Sequence, residues 1–376
     1  MTTTRATVAF LVFACTFIAA KEHPQKYIDL LDSQPLRRVC YYAPIPPAPS
    51  PTDLDPMLCT HIIFGFAAVA ENNTLIPARP DDLEAYAQLT GLKNVNRNLK
   101  VMLSAGGKGR GNFSKMANSS EARSTFLTSV VQILHEYNFD GFDIDWEFPA
   151  KQERKNLVLL LKEARNILNE LLLSVAVAGT GAIIDVSYDI PGIATYVDFV
   201  NLMSYDYHVY RAYLPFTGHN SPLFHRKVEL GYFSTLNTAW SAEFWVKEGM
   251  PRHKIMVGMP TYARTYTLAD PTLHGFDAPV AGVGAGNGSV DYSWVCDFLR
   301  NGSTPVFDDE SQVPYAYKDT AWVAYDTFES IRSKVIWAKA RQFAGIMTFD
   351  LCNDDTTGSC NHGKFPLHTM IYNMLT

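Results

Sequence analysis

The stretch from Phe139 to Phe148, FDGFDIDWEF, holds the densest acid chemistry in the chain. Asp143, Asp145 and Glu147 alternate with Phe142, Ile144 and Trp146. Side chains along a strand point to opposite faces with period two. The spacing therefore puts three carboxylates on one face of a buried strand, neighbours roughly 6.6 Å apart. Like charges that close in a low-dielectric site do not all ionise, so at least one pKa must rise. A carboxylic acid that keeps its proton near neutral pH is what general-acid catalysis requires. A solvated edge strand or a calcium site would also use acids, but the interleaved large apolar residues argue against an edge in water. Asp140 has the opposite parity and reads as structural, closing the turn into the strand.

A strand of this kind needs neighbours, and short apolar runs recur along the chain. Residues 37–42, 61–69, 100–105, 171–178, 199–203, 254–259 and 344–349 join the acid strand to make eight. Their apolar character on both faces suits a buried parallel sheet. Helical stretches over 81–92, 121–137 (capped by Ser119 or Ser120), 151–168, 234–247, 328–341 and 366–375 alternate with them. This order predicts an α/β chain folded as a (β/α)8 barrel. An open doubly wound sheet is the competitor, but the chain has no G-x-G-x-x-G turn to support it. Residues 266–322 break the alternation after the seventh strand and predict an α+β insertion. The expected organisation is a leader over 1–20, a barrel from 21–265 and 323–376, and the insertion between.

The chain has 376 residues, is 47% hydrophobic and carries a net charge of −6. That length accommodates one large domain, and the acidic balance without a basic run argues against a nucleic-acid partner. Arg5, the apolar run from Ala6 to Ile18 and the small pair Ala19-Ala20 read as a secretion signal too short to span a membrane. Sequons at Asn72, Asn112, Asn118, Asn287 and Asn301 agree with a secreted glycoprotein. His208, His219 and His225 lack metal-ligand spacing; neither a metal nor a cofactor is expected.

The acid stretch resembles the D-x-x-D-x-D-x-E signature of glycoside hydrolase family 18, the chitinases and chitinase-like lectins, complete here as Asp140, Asp143, Asp145 and Glu147. The resemblance implies the barrel with its insertion and action on chitin or N-acetylglucosamine oligosaccharides; a monomer is expected. It implies Glu147 as the general acid and a nucleophile supplied by the substrate's own N-acetyl oxygen. Asp145 would then orient the acetamido group, with Asp143 sharing a proton with it and raising its pKa. Met203-Ser204-Tyr205-Asp206 matches the family's M-x-Y-D. It implies Tyr205 as a catalytic hydrogen-bond donor, with Met203 and Asp206 in contact with sugar. Ser104, Gly106 and Gly107 match S-x-G-G, where small residues let the backbone approach the site. Tyr262, Arg264 and Phe349 match substrate-contacting positions. Cysteine positions resemble family disulfides Cys40–Cys59 and Cys296–Cys360, leaving Cys352 over.

The chain also departs from the family. Lys108 follows Ser104-Ala105-Gly106-Gly107, where tryptophan is usual, and Phe349 stands where a tryptophan floor is usual. The loops Ala43–Ser50 and His208–Arg211 have no tryptophan. The acids point to hydrolysis. The lost aromatic platforms point to weak grip on long chains, or to a lectin with little turnover.

Overall fold

The computed structural model describes residues 36–109 and 111–376; the leader expected over 1–20 lies outside the described residues. The strands are β1 (Arg37–Tyr42), β2 (His61–Val69), β3 (Leu75–Pro77), β4 (Lys100–Gly106), β5 (Gly141–Asp145), β6 (Leu172–Ala178), β7 (Phe199–Met203), β8 (Ile255–Pro260), β9 (Ala263–Leu268), β10 (Val280–Val283), β11 (Ser289–Val290), β12 (Thr304–Asp308), β13 (Val313–Lys318), β14 (Ala321–Ala324) and β15 (Gly345–Phe349). Eight of them, β1, β2, β4, β5, β6, β7, β8 and β15, are parallel and pair in that order, and β1 pairs with both β2 and β15. The ring is therefore closed, which removes the exposed edges of an open sheet. β3 hangs antiparallel on β2.

Closure brings β1 and β15 into close approach. A Cβ on Gly345 would lie 2.1 Å from the Arg37 carbonyl oxygen, so only glycine fits at this seam. Val39, Tyr41, Ile63, Phe66, Met102, Phe199, Met256 and Met347 fill the ring's interior. The opposite faces of the strands pack on the helices, which explains why the strands read as continuous apolar runs rather than alternating ones.

The helices follow their patterns, with sharper limits. Ser120–Glu136 starts at Ser119, whose hydroxyl accepts from the Ala122 amide at 3.1 Å. Arg154–Leu168 buries Leu157, Leu160, Leu161, Ala164 and Leu168, a single stripe at helical spacing. The helix expected from 234 begins only at Thr238. Asn237 caps it by accepting from the Trp240 amide at 2.8 Å, and Phe233–Thr235 forms a separate tight turn.

The stretch that breaks the alternation is a second, antiparallel sheet in the order β10-β9-β14-β13-β12, with β11 beside β9. Its core is Tyr266, Leu268, Ala278, Val280, Tyr315, Trp322 and Ala324. The sheet extends from Ala263 to Ala324, slightly beyond the 266–322 expected, because Arg264 and Thr265 already pair with Ala324 and Val323. A helix, Tyr292–Arg300, carries Cys296. Cys40–Cys59 and Cys296–Cys360 are disulfides, and Cys352 is free. Among the described residues no helix is long and apolar enough to cross a membrane.

Candidate active site

The site grows from one row of the barrel. In register, Ser104 on β4 lies beside Asp143 on β5, and Asp143 beside Ser174 on β6. Residues in register on parallel strands share a face. Both serine hydroxyls consequently reach the carboxylate, at 2.6 Å from Ser104 and 2.5 Å from Ser174. Tyr41 donates to it at 2.7 Å and Asn201 at 3.2 Å. Asp143 is fully buried. Burial raises its pKa, and the four donors pull the other way by stabilising the charged form.

One pleat further along the same face, Asp145 is 3% exposed, and its Oδ1 is buried without a hydrogen-bond partner. Burial, then the charges of Glu147 and Asp143, push its pKa well above the carboxylate range. Asp143 has donors on both oxygens and Asp145 lacks one, so Asp145 is the member of the pair placed to hold a proton. The strand ends here, shorter than the sequence pattern suggests, because its last ladder partner is Gly106. A Cβ on Gly106, at φ 122°, would meet the Asp145 carbonyl oxygen at 1.9 Å.

Glu147 lies two residues past the strand and lines the cavity above the ring. Burial, then the charge of Asp206, raises its pKa; the Lys108 charge and backbone amide oppose this. The opposite wall comes from the ends of β7 and β15. Tyr205 stands with its ring centroid 6.1 Å from those of Tyr262 and Phe349. Its hydroxyl has a weak partner in the Met347 sulfur at 4.0 Å, and burial raises its pKa well above the usual phenol value. Asp206 accepts from Tyr262 at 2.7 Å and from two guanidinium nitrogens of Arg264 at 2.7 and 2.6 Å. The insertion sheet thus delivers Arg264 to the barrel, a bidentate geometry lysine could not supply.

These side chains surround a cavity of 390 Å³, lined by Asp145, Glu147, Met203, Tyr205, Asp206, Tyr262, Arg264 and Phe349, together with Ala43, Pro44, Ile45 and Phe66. A second lobe of 330 Å³ shares Glu147, Met203, Tyr205, Asp206 and Arg264 but lacks Asp145 and Phe349. Glu147 stands where the lobes meet. Lys108 lines both.

The candidate residues converge, with three refinements. Asp143 sits beneath the cavity rather than in its wall, so it acts on the site through its neighbours. Ser104 contributes its hydroxyl to Asp143 as well as its small size. Asp140 lies away from the cavity, accepting from the Val101 amide at 2.8 Å and from Lys93 at 3.0 Å, which fits a structural role. Tyr41, Ser174, Asn201 and Phe66 belong to the site but carry no motif. The signal for Ser174 and Asn201 was a lone polar residue in an otherwise apolar strand, which must find a partner when buried.

The family model described as "Glycosyl hydrolases family 18" matches residues 37–354. Human chitinase-3-like protein 2 is 35% identical over 336 residues, covering 85% of each chain. Mouse chitotriosidase-1 is 35% identical over 340 residues, covering 84% of this chain and 72% of its own. Among solved structures, an immunomodulatory active chitinase from Trichuris suis superposes with a TM-score of 0.86 at 33% identity, covering 91% of this chain and 100% of that one. Human YKL-39, described as a pseudo-chitinase with retained chitooligosaccharide binding, has a TM-score of 0.86 at 34% identity over 90% of this chain and 99% of its own. By fold, by sequence match along most of its length and by the four acids on and beside β5, the chain belongs to glycosyl hydrolase family 18.

Proposed function

We propose that the protein hydrolyses β-1,4-linked N-acetylglucosamine chains, chitin or its oligosaccharides, with retention of configuration and with the substrate's acetamido oxygen as nucleophile. The observation that carries this reading is the pairing of Glu147, at the junction of the lobes, with Asp145, whose buried Oδ1 lacks a donor. Glu147 gives its proton to the glycosidic oxygen, and the bond from that oxygen to C1 breaks. The acetamido carbonyl oxygen closes on C1 to form a cyclic oxazolinium. Asp145 accepts a hydrogen bond from the acetamido N–H, and the single negative charge of the Asp143–Asp145 pair beneath the sugar offsets the growing positive charge. Tyr205 donates to the acetamido oxygen and fixes its direction of attack. Water then adds to C1 as the bond from C1 to the acetamido oxygen breaks and the N-acetyl group re-forms, and the water gives a proton to the Glu147 carboxylate, restoring the acid. Met203 and Phe349 provide the apolar contact for the sugar, and the Asp206–Arg264–Tyr262 unit holds the polar edge of the wall.

A second reading is a chito-oligosaccharide lectin without turnover. Exposed Lys108, in place of an aromatic platform, favours it, as does the pseudo-chitinase among the relatives. The two disulfides support an oxidising, extracellular location, and we take the protein to act there as a monomer. Incubation with chitotetraose and analysis of the products decides between the readings. Shorter oligosaccharides, lost on Glu147→Gln, support the hydrolase; intact tetramer bound without cleavage overturns it in favour of the lectin.

A further inference from the structure

We propose that the lobe beyond Glu147 binds an anionic saccharide, so that the leaving-group side of the groove takes a sugar bearing a carboxylate or a sulfate ester. This rests on the reading of Glu147 as proton donor. The lobe that contains Asp145 and Phe349 takes the sugar whose acetamido group reacts, and the lobe without them takes the sugar that departs.

Among the described residues, Lys108, Arg211 and Arg264 are the cations that line the departing side. Arg264 is neutralised by Asp206, to which it donates twice. Among the described residues no carboxylate forms an ion pair with Lys108 or Arg211. Glu147, the other acid in this lobe, carries a proton in its reactive form and so adds no negative charge. Two uncompensated positive charges therefore face a space of 330 Å³.

A neutral N-acetylglucosamine offers these charges only uncharged hydroxyl and amide oxygens, and would gain more from flat rings to lie against. Beyond the shared Tyr205, Phe148 is the one aromatic residue lining this lobe among the described residues; Ala178, Ile183 and Val209 are small or aliphatic. A carboxylate or sulfate fits better. The Arg211 guanidinium matches either oxyanion with two parallel hydrogen bonds, and the Lys108 ammonium adds a mobile third donor. By the same logic a free glucosamine, which is cationic, is repelled. The bound anion also offsets the Lys108 charge that lowers the Glu147 pKa, so a substrate of this class strengthens proton retention on the residue that cleaves it.

Calorimetric binding to the Glu147→Gln form of the full chain tests this without turnover. The probes are neutral chitotetraose, a tetrasaccharide alternating N-acetylglucosamine with glucuronate, and 6-O-sulfated chitotetraose, each at about 50 mM and about 300 mM salt. At low salt at least one anionic probe is expected to bind about tenfold more tightly than the neutral one. That advantage should shrink at high salt. Arg211→Gln or Lys108→Gln should remove at least about threefold of it, a larger loss than the same variant causes for chitotetraose. The better of the two anionic probes identifies carboxylate or sulfate. Equal or tighter binding of chitotetraose at low salt overturns the proposal, as does an equal loss for all three probes in both variants. Wild-type cleavage of chitotetraose is scored separately. Its absence with anion preference intact overturns the hydrolase reading alone; its presence without anion preference overturns this inference alone.

Discussion

Tyr41 of β1 and Asp143 of β5 meet inside the ring, the phenol donating to the carboxylate at 2.7 Å. The same hydroxyl receives the Asn201 amide of β7 at 3.2 Å. Residues far apart in the chain thus tie three strands at one buried acid, directly under Asp145. This places the support for the reactive group in the barrel's closure rather than in the loops.

Removing that phenol isolates its contribution. Tyr41→Phe keeps the ring and its packing but takes one donor from a buried anion, and the expected loss of stability is about 1.5–3 kcal/mol. The Asp143 pKa should rise further, since a hydrogen bond to its charged form is gone. Urea denaturation across pH measures both; unchanged stability at neutral pH would show that the bond contributes nothing net.

Glu147→Gln is expected to lower kcat by a factor of about 10² to 10⁴ while oligosaccharide binding survives. Glutamine preserves shape and cannot release a proton. Turnover and calorimetric binding on the same preparation check this, and a variant that still cleaves within a few-fold of wild type would reject the proton-donor role.

Asp145 gives a signed stability prediction. Its folded-state pKa is raised by burial and by Glu147 and Asp143, so its contribution is fully present below the unfolded pKa and is lost as pH rises through the folded value. Asp350, pushed up to about 6 by burial, adds a loss of the same sign between about 4 and about 6. Asp145→Asn should therefore raise the Tm at pH 7 and leave it nearly unchanged at pH about 3, while activity falls. Thermal melts at the two pH values test the sign; a lower Tm at pH 7 contradicts it.

Attack by the acetamido oxygen requires retention. Proton NMR of fresh product from a chito-oligosaccharide should show the β anomer before mutarotation, and a substrate stripped of N-acetyl groups should not be cleaved. An α anomer in the first spectra would remove the mechanism.

The disulfides differ in loop length, with sequence separations of 19 for Cys40–Cys59 and 64 for Cys296–Cys360. In the loop-entropy account they contribute about 3 and about 4 kcal/mol. Paired Cys→Ser variants, compared by denaturation, should rank in that order.

Much of this was legible in the sequence, for identifiable reasons. The eight strands announce themselves because both faces are buried, and the acid stretch because period two sorts its side chains unambiguously. Element limits were less legible: β5 stops at Asp145 because its neighbour stops at Gly106, a fact of the other strand. The donors to Asp143 were the hardest to foresee. Tyr41, Ser174 and Asn201 sit on three separate strands, and only the register across the ring makes them one cluster. Phe66 lines the cavity for a similar reason, having looked like any apolar residue of β2.

The seam between β1 and β15, where Arg37 faces Gly345, has a consequence for biosynthesis. The ring's first strand, Arg37–Tyr42, is translated long before its last, Gly345–Phe349, so the ring stays open while all the strands between them are being made. Until then β1 and β8 each present a row of backbone donors and acceptors with no partner, the surface on which half-made chains pair with one another. Such a high separation between contacting segments also slows folding. Chaperone protection during synthesis, and intolerance of truncation before Gly345, follow from where the circle is joined.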